Sequence, residues 1–293
     1  MRALLELRDT TLASPAQLEA GARGLGHEHP VVRRAALDAL AHQSEHAGAT
    51  LPADVARRAS VLVGDPDPQV RAEACASLAL IAPIDDEDRD RRVQSLLTAL
   101  RDPEAGVRQE AAAALGDLPL LGASIDVARD PLAALLEDAN LGVRFEAAFA
   151  LARIGDSRAR TVLEGALRNG GQRMDAMEGL RRLGDPEAIP ALRRQVERWL
   201  LPWSDRLTGL ATLIALGERQ LEPELMKSLR SRRAEVRIHA AVWCGRLGIA
   251  AARPTLEALA SAKDELAADA AADALAQLAS TAELASKMRA EVD

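Results

Sequence analysis

Residues 138–156 read Asp-Ala-Asn-Leu-Gly-Val-Arg-Phe-Glu-Ala-Ala-Phe-Ala-Leu-Ala-Arg-Ile-Gly-Asp. Turn-forming Asp opens the stretch, strong helix formers fill it, and Gly stands where helices commonly stop. The opening recurs as Asp65-Pro-Asp-Pro-Gln-Val-Arg-Ala-Glu-Ala74 and Asp102-Pro-Glu-Ala-Gly-Val-Arg-Gln-Glu-Ala111. The arginine of Val-Arg marks the register. It falls at Arg33, Arg71, Arg108, Arg144, Arg173, Arg206 and Arg237, 29 to 38 residues apart, and an eighth copy carries Ala268 instead. Gln172 and Asp205 replace the valine in the fifth and sixth copies. The closing pair recurs as Ile154-Gly155, Leu183-Gly184, Leu216-Gly217 and Leu247-Gly248. A period of this length belongs to stacked supersecondary units.

Each copy splits into a short amphipathic helix, such as Pro131–Glu137 or Pro190–Val196, a turn, and a second helix that begins near Val-Arg and ends at Gly. One such pair cannot bury its apolar face alone, whereas stacked pairs can. The predicted fold is an all-α solenoid of about eight helix pairs. They span 14–46, 51–82, 88–119, 125–155, 156–184, 185–217, 218–248 and 249–279, with an N-terminal cap at 1–13 and a C-terminal cap helix at 280–293.

Composition agrees. The 293 residues include no Tyr, two Phe and three Trp, and Ala makes up about a fifth of the chain. A sandwich or barrel needs more aromatic residues than that. With 48% hydrophobic and 28% charged residues, a disordered chain is excluded. No run of 18 apolar residues exists to span a membrane. The first ten residues carry Arg2, Glu6, Arg8 and Asp9, too charged for a secretory signal. Cys75 and Cys244 have no metal-like or redox spacing. The expected location is the cytoplasm, and 34 Arg against three Lys, with so much Ala, suggests GC-rich bacterial coding. Net charge is −7, yet residues 151–250 carry 18 basic against 12 acidic residues.

The pattern Asp-x5-Arg-x2-Ala-Ala-x-Ala-Leu-x2-Ile-Gly-Asp over Asp138–Asp156 resembles a HEAT repeat of the phycobilisome-lyase-like subclass. The resemblance covers roughly residues 14–279. It implies the solenoid fold and leaves function open, because the subclass includes scaffolds, lyase subunits and a hydroxylase. It also implies a structural use for the register arginine, as a ladder to the Asp six residues earlier (Asp65, Asp102, Asp138) or to a neighbouring turn. The other use would be a ladder for phosphates.

Counting the Val position as zero, positions 0, +4, +7, +8 and +11 share one face at 100° per residue. They are Val143, Ala147, Ala150, Leu151 and Ile154 in the fourth copy, and Val236, Ala240, Trp243, Cys244 and Leu247 in the seventh. This is the expected core face. Positions +2 and +6 lie opposite. They are polar at the ends of the chain (Arg34/Asp38, Asp269/Asp273) but apolar in the middle: Phe145 and Phe149, Met174, Leu207, Ile238 and Val242. Either solenoid curvature buries this ridge or a partner does. Arg153, Arg182 and Arg246 fall at +10, beside it. An apolar stripe edged by guanidinium groups suits an acidic amphipathic segment. Trp199 and Trp203 lie between the sixth pair's helices, and either pack a long turn or form a secondary anchor.

Little chemistry is legible. His27 and His29 precede a helix that His42 and His46 end, so the four are on the order of 20 Å apart and cannot share a metal. The hydroxylases of the resembled class use His-Glu at +2/+3, where this chain has Gln109-Glu110 and Phe145-Glu146. No phosphate loop, dinucleotide fingerprint, HExxH or nucleophile elbow occurs. The expectation is a non-catalytic scaffold or adaptor, needing no cofactor or metal, that binds a protein partner on its concave face. An enzyme-associated subunit similar to the bilin-lyase subunits, and a nucleic-acid-binding protein using the arginines of 151–250, are the alternatives.

Overall fold

The computed structural model describes residues 14–46, 51–118 and 126–290. The N-terminal cap expected at 1–13 and the last three residues of the C-terminal one lie outside them. Among the described residues there are sixteen α-helices and no strand. The chain divides into two compact units, Met1–Val162 and Leu163–Asp293.

The first unit contains α1 (Pro15–Leu25), α2 (Pro30–His46), α3 (Ala53–Val61), α4 (Pro68–Leu80), α5 (Asp86–Ala99), α6 (Ala105–Asp117), α7 (Arg129–Ala134) and α8 (Leu141–Arg153). Helix α9 (Arg160–Ala166) runs over the division. The second unit contains α10 (Arg173–Leu183), α11 (Ile189–Val196), α12 (Trp203–Ala215), α13 (Glu222–Lys227), α14 (Ala234–Arg246), α15 (Arg253–Ala260) and α16 (Glu265–Ala290).

Side chains written into the sequence start these helices. Ser14 and Gln17 form a capping box on α1, Asp67 accepts the Gln69 and Val70 N–H groups at α4, and Asn140 accepts those of Gly142 and Val143 at α8. The recurring Leu/Ile-Gly has a physical cause at the other end. Gly184 takes φ +68° as the C-terminal cap of α10, a conformation in which a Cβ is strained. Gly155, Gly217 and Gly248 also have positive φ.

Small residues set how closely the helices approach. A Cβ on Gly116 of α6 would lie 3.1 Å from the Ala150 Cα of α8, and one on Gly245 of α14 would lie 2.8 Å from the Ala274 Cα of α16. The abundance of alanine follows from this close spacing as well as from helix propensity. On the expected core face, Val143, Ala147, Ala150 and Leu151 are buried, as are Ala240, Trp243 and Cys244. Ile154, Val236 and Leu247 are half-buried.

The glycine stop is not universal among the second helices. Helix α4 is followed by Ile81-Ala82-Pro83, with no glycine. The fully buried Arg92 of α5 donates instead to the carbonyls of Leu78 (3.4 Å), Ile81 and Ala82 (3.3 Å). Its counter-ion is Asp88, 2.7 Å away and equally buried. Asp88 also accepts the Ile84 N–H.

Candidate functional site

The register arginines settle into a ladder between successive turns. Arg33 reaches Asp65 through two hydrogen bonds of 2.7 Å. Arg71 pairs with Asp102 at 2.7 and 2.9 Å, and Arg108 with Asp138 at 2.8 and 3.0 Å. In the second unit, Arg173 pairs with Asp205 at 2.6 Å and Arg237 with Asp264. The Asp six residues earlier supplies its backbone carbonyl: Arg71 donates to the Asp65 oxygen and Arg108 to that of Asp102. These guanidiniums are occupied by the fold, each joining its own turn to the next.

The aspartates carry the electrostatic mark of this. Burial alone would raise the pKa of Asp65 and Asp102, but hydrogen bonds from arginine and from backbone N–H groups outweigh it and hold both below the ordinary carboxylate value. At Asp138 the Arg108 hydrogen bond is the largest cause of the lowering. Asp156, held by Arg158 and Arg129, stands at about 2.

The arginine-edged ridge is divided by burial. In the first unit Phe145 is 6% exposed, and its ring lies 6.2 Å from that of half-buried Phe149. Arg153 sits over the Phe149 ring at 5.4 Å and donates to the Gly116 carbonyl and to Asp117. In the second unit Leu207 is 4% exposed and belongs to the core around Trp243. Phe145 and Leu207 are therefore not open surface, contrary to the register argument. For Leu207 the cause is plain: every residue of α12 from Leu207 to Ile214 is buried, so this helix has no exposed ridge.

The other ridge residues of the second unit meet. Met174, Asp175 and Glu178 of α10, Thr208 of α12, and Ile238, His239, Val242, Trp243 and Arg246 of α14 line a groove of about 450 Å³. Met174 is 42% exposed. Buried Thr208 and Trp243 form the floor. The guanidinium of Arg246 lies 5.5 Å from the Trp243 ring centre and makes no ion pair among the described residues. Arg182 is spent on Glu178, at 2.7 Å, together with Arg181. Burial works against ionisation of Glu178, but the two arginines prevail and lower its pKa. The sequence placed Trp243 in the core and did not single out Thr208 or His239. Thr208 occupies +3, a position that becomes visible only when +2 is turned inward.

The tryptophans between the sixth pair's helices separate. Trp199 is 85% exposed. Trp203 packs against the second core, its ring edge-on to His239 at 5.2 Å. The Nδ1 atoms of His27 and His29 accept the N–H groups of His29 and Val31, closing the turn before α2. Among the described residues no group of three or more His, Cys, Asp or Glu side chains is placed to hold a metal ion. Burial pushes the thiols of Cys75 and Cys244 up to about 12, so neither is a ready nucleophile.

The profile of HEAT repeats matches residues 55–127, 93–174 and 131–199. The chain is a HEAT-repeat protein. Its fold is similar to that of the complex of CpcE and CpcF of phycocyanin lyase from Nostoc sp. PCC7120, with TM-score 0.53 and 22% identity over 77% of this chain and 94% of that one. It is equally similar to YibA of Escherichia coli, with TM-score 0.53 and 17% identity over 94% of both chains. No curated protein matches in sequence. These HEAT-repeat likenesses, at such identities, describe architecture; the chemistry has to come from the side chains above.

Proposed function

We propose that this HEAT-repeat protein is a non-catalytic adaptor, and that the groove between α10, α12 and α14 takes an acidic amphipathic segment of a protein partner. The observation that carries the reading is the pairing of an apolar wall with a free cation. Met174, Ile238 and Val242 offer apolar surface, and Arg246 stands at its edge without a carboxylate. The basic excess of residues 151–250 within an acidic chain steers the same partner. Aliphatic side chains of the segment would sit over Trp243 while its carboxylates meet Arg246. Phe149 and Arg153 in the first unit are a separate, largely self-satisfied cluster and would add at most a rim. Trp199 is the secondary anchor in this proposal, because its ring is the most exposed large apolar group among the described residues of the second unit.

A labelled helical peptide with leucines on one face and glutamates on the other tests the reading, with Trp243 as an intrinsic reporter. Saturable, salt-sensitive binding is expected, weakened about tenfold by Arg246→Glu and lost in Ile238→Asp. Equal affinity for the same peptide with lysines replacing the glutamates would overturn it.

A further inference from the structure

Two register arginines, Arg144 and Arg206, have no carboxylate partner among the described residues, and at Arg206 the cause can be read from the turn before α14. Ser231 closes the helical turn before α14 with φ −60° and ψ 148°, the conformation of Asp65 (−60°, 145°) and Asp138 (−57°, 147°) at the same place in their repeats. Its other bonds match as well. Ser231 Oγ accepts the Arg233 N–H at 3.2 Å, as Asp65 accepts that of Asp67 at 2.9 Å. Arg237 donates to the Ser231 carbonyl at 2.9 Å, as Arg71 does to that of Asp65 at 3.0 Å. The backbone is the same and the carboxylate is gone. The arginine it would have held is Arg206, which donates to the Arg198 carbonyl and has no acidic partner among the described residues.

The turn adds to the imbalance. Arg230, Arg232 and Arg233 are exposed and unpaired among the described residues. Arg232 and Arg233 stand where the second repeat has Pro66 and Asp67. Arg144 donates to the Asp138 carbonyl of its own turn. Beside the arginine turn lies a cavity of about 630 Å³. Its walls include Leu229, Pro254 and Leu259, and its rim carries Arg230 and the unpaired Lys263.

We infer that this turn edge is a second docking surface, for an extended acidic segment of a partner protein that supplies the missing carboxylate to Arg206 and seats an aliphatic side chain in the cavity. Two observations favour a peptide over a nucleic acid. The filled rungs show a carboxylate as the group this arginine geometry takes. The cavity lining has no aromatic face for a base: beside Leu229, Pro254 and Leu259 it holds Arg237, Thr255 and Asp264. The inference does not depend on the groove at Arg246.

The test uses the full chain and a fluorescein-labelled peptide of alternating Asp and Val, with single-stranded DNA of equal charge as the second arm. Ser231→Asp should restore the rung within the chain, raise Tm, and lower peptide affinity about tenfold by competing for Arg206. Arg206→Gln should lower the affinity to a similar extent, and Ile238→Asp, in the groove, should leave it unchanged. A higher Tm with unchanged peptide affinity in Ser231→Asp would overturn the inference. So would unchanged affinity in Arg206→Gln, which also covers the case of a Ser231 variant that does not fold. DNA binding more tightly than the peptide, and lost with the same substitutions, would assign the surface to phosphates instead.

Discussion

Arg92→Met removes the one cation that ends α4. The side chain it deletes makes three carbonyl contacts and one ion pair, all away from water. Methionine refills most of the volume, so the loss is electrostatic rather than a cavity. Asp88 then stays buried with the Ile84 N–H and the charge it can no longer share. Breaking one side of a buried pair costs about 3–5 kcal/mol. The carbonyls of Ile81 and Ala82 lose a donor, which keeps the estimate toward the upper end of that range. For a unit of this size the shift in Tm is on the order of 10 °C. Urea unfolding followed by far-UV CD measures it. Asp88→Leu combined with Arg92→Met should be less destabilised than Arg92→Met alone, because it removes the stranded charge. A single variant within about 1 kcal/mol of the parent would refute the reasoning, since it would mean that neither the orphaned acid nor the uncapped helix end matters.

Acid should loosen the fold in a defined window. The folded-state pKa values of Asp65, Asp102, Asp138 and Asp156 are lowered, so their contribution is fully present above the unfolded value of about 3.9 and is lost as pH falls through the folded ones. For Asp156 that loss centres at about 2. A CD titration should therefore show the decline below pH 4, with a smaller acid dependence in Asp102→Asn; a decline centred near neutrality would contradict the ladder assignment. Phe145→Ala should cost about 3 kcal/mol, as expected for a buried ring, and a change below 1 kcal/mol in the same urea assay would return Phe145 to the surface.

How far the sequence could be read depended on how local the cause was. Helix stops rest on a few adjacent residues, so Gly184 was legible in the recurring Leu/Ile-Gly, whereas the caps Ser14, Asp67 and Asn140 were not singled out. The repeat was legible because Val-Arg and Leu/Ile-Gly recur at matching offsets, and the fold follows from stacking alone. The ladder was half legible: a carboxylate near the arginine was evident, but its place in the following turn depends on how two repeats are staggered. The ridge was the least legible. Positions +2 of α8, α12 and α14 are equivalent along the chain, yet Phe145 and Leu207 are buried while Ile238 lines a groove. What decides this is the set of helices packed on each side, which no periodicity within one repeat encodes. Arg92 was invisible for the same reason, since the carbonyls it caps belong to the preceding helix.

Sequence position treats Arg182 and Arg246 as equals, both at +10 beside the ridge, and the structure separates them. Arg182 already shares the carboxylate of Glu178 with Arg181, so a partner's acid would have to displace an existing acceptor to gain it. Arg246 has an aromatic face and no acid, so a new carboxylate adds an interaction without breaking one. In the peptide assay for the groove, Arg246→Gln should therefore cost about 1 kcal/mol or more of affinity and flatten its salt dependence, whereas Arg182→Gln should change it by less than about 0.5 kcal/mol. Met174 and Val242 contribute through apolar contact, so their effects should persist at high salt. Equal losses from the two arginine variants would mean that the groove is read by its net charge rather than by one free guanidinium, and the partner's acidic residues would then be expected along the whole basic third of the chain rather than at Arg246.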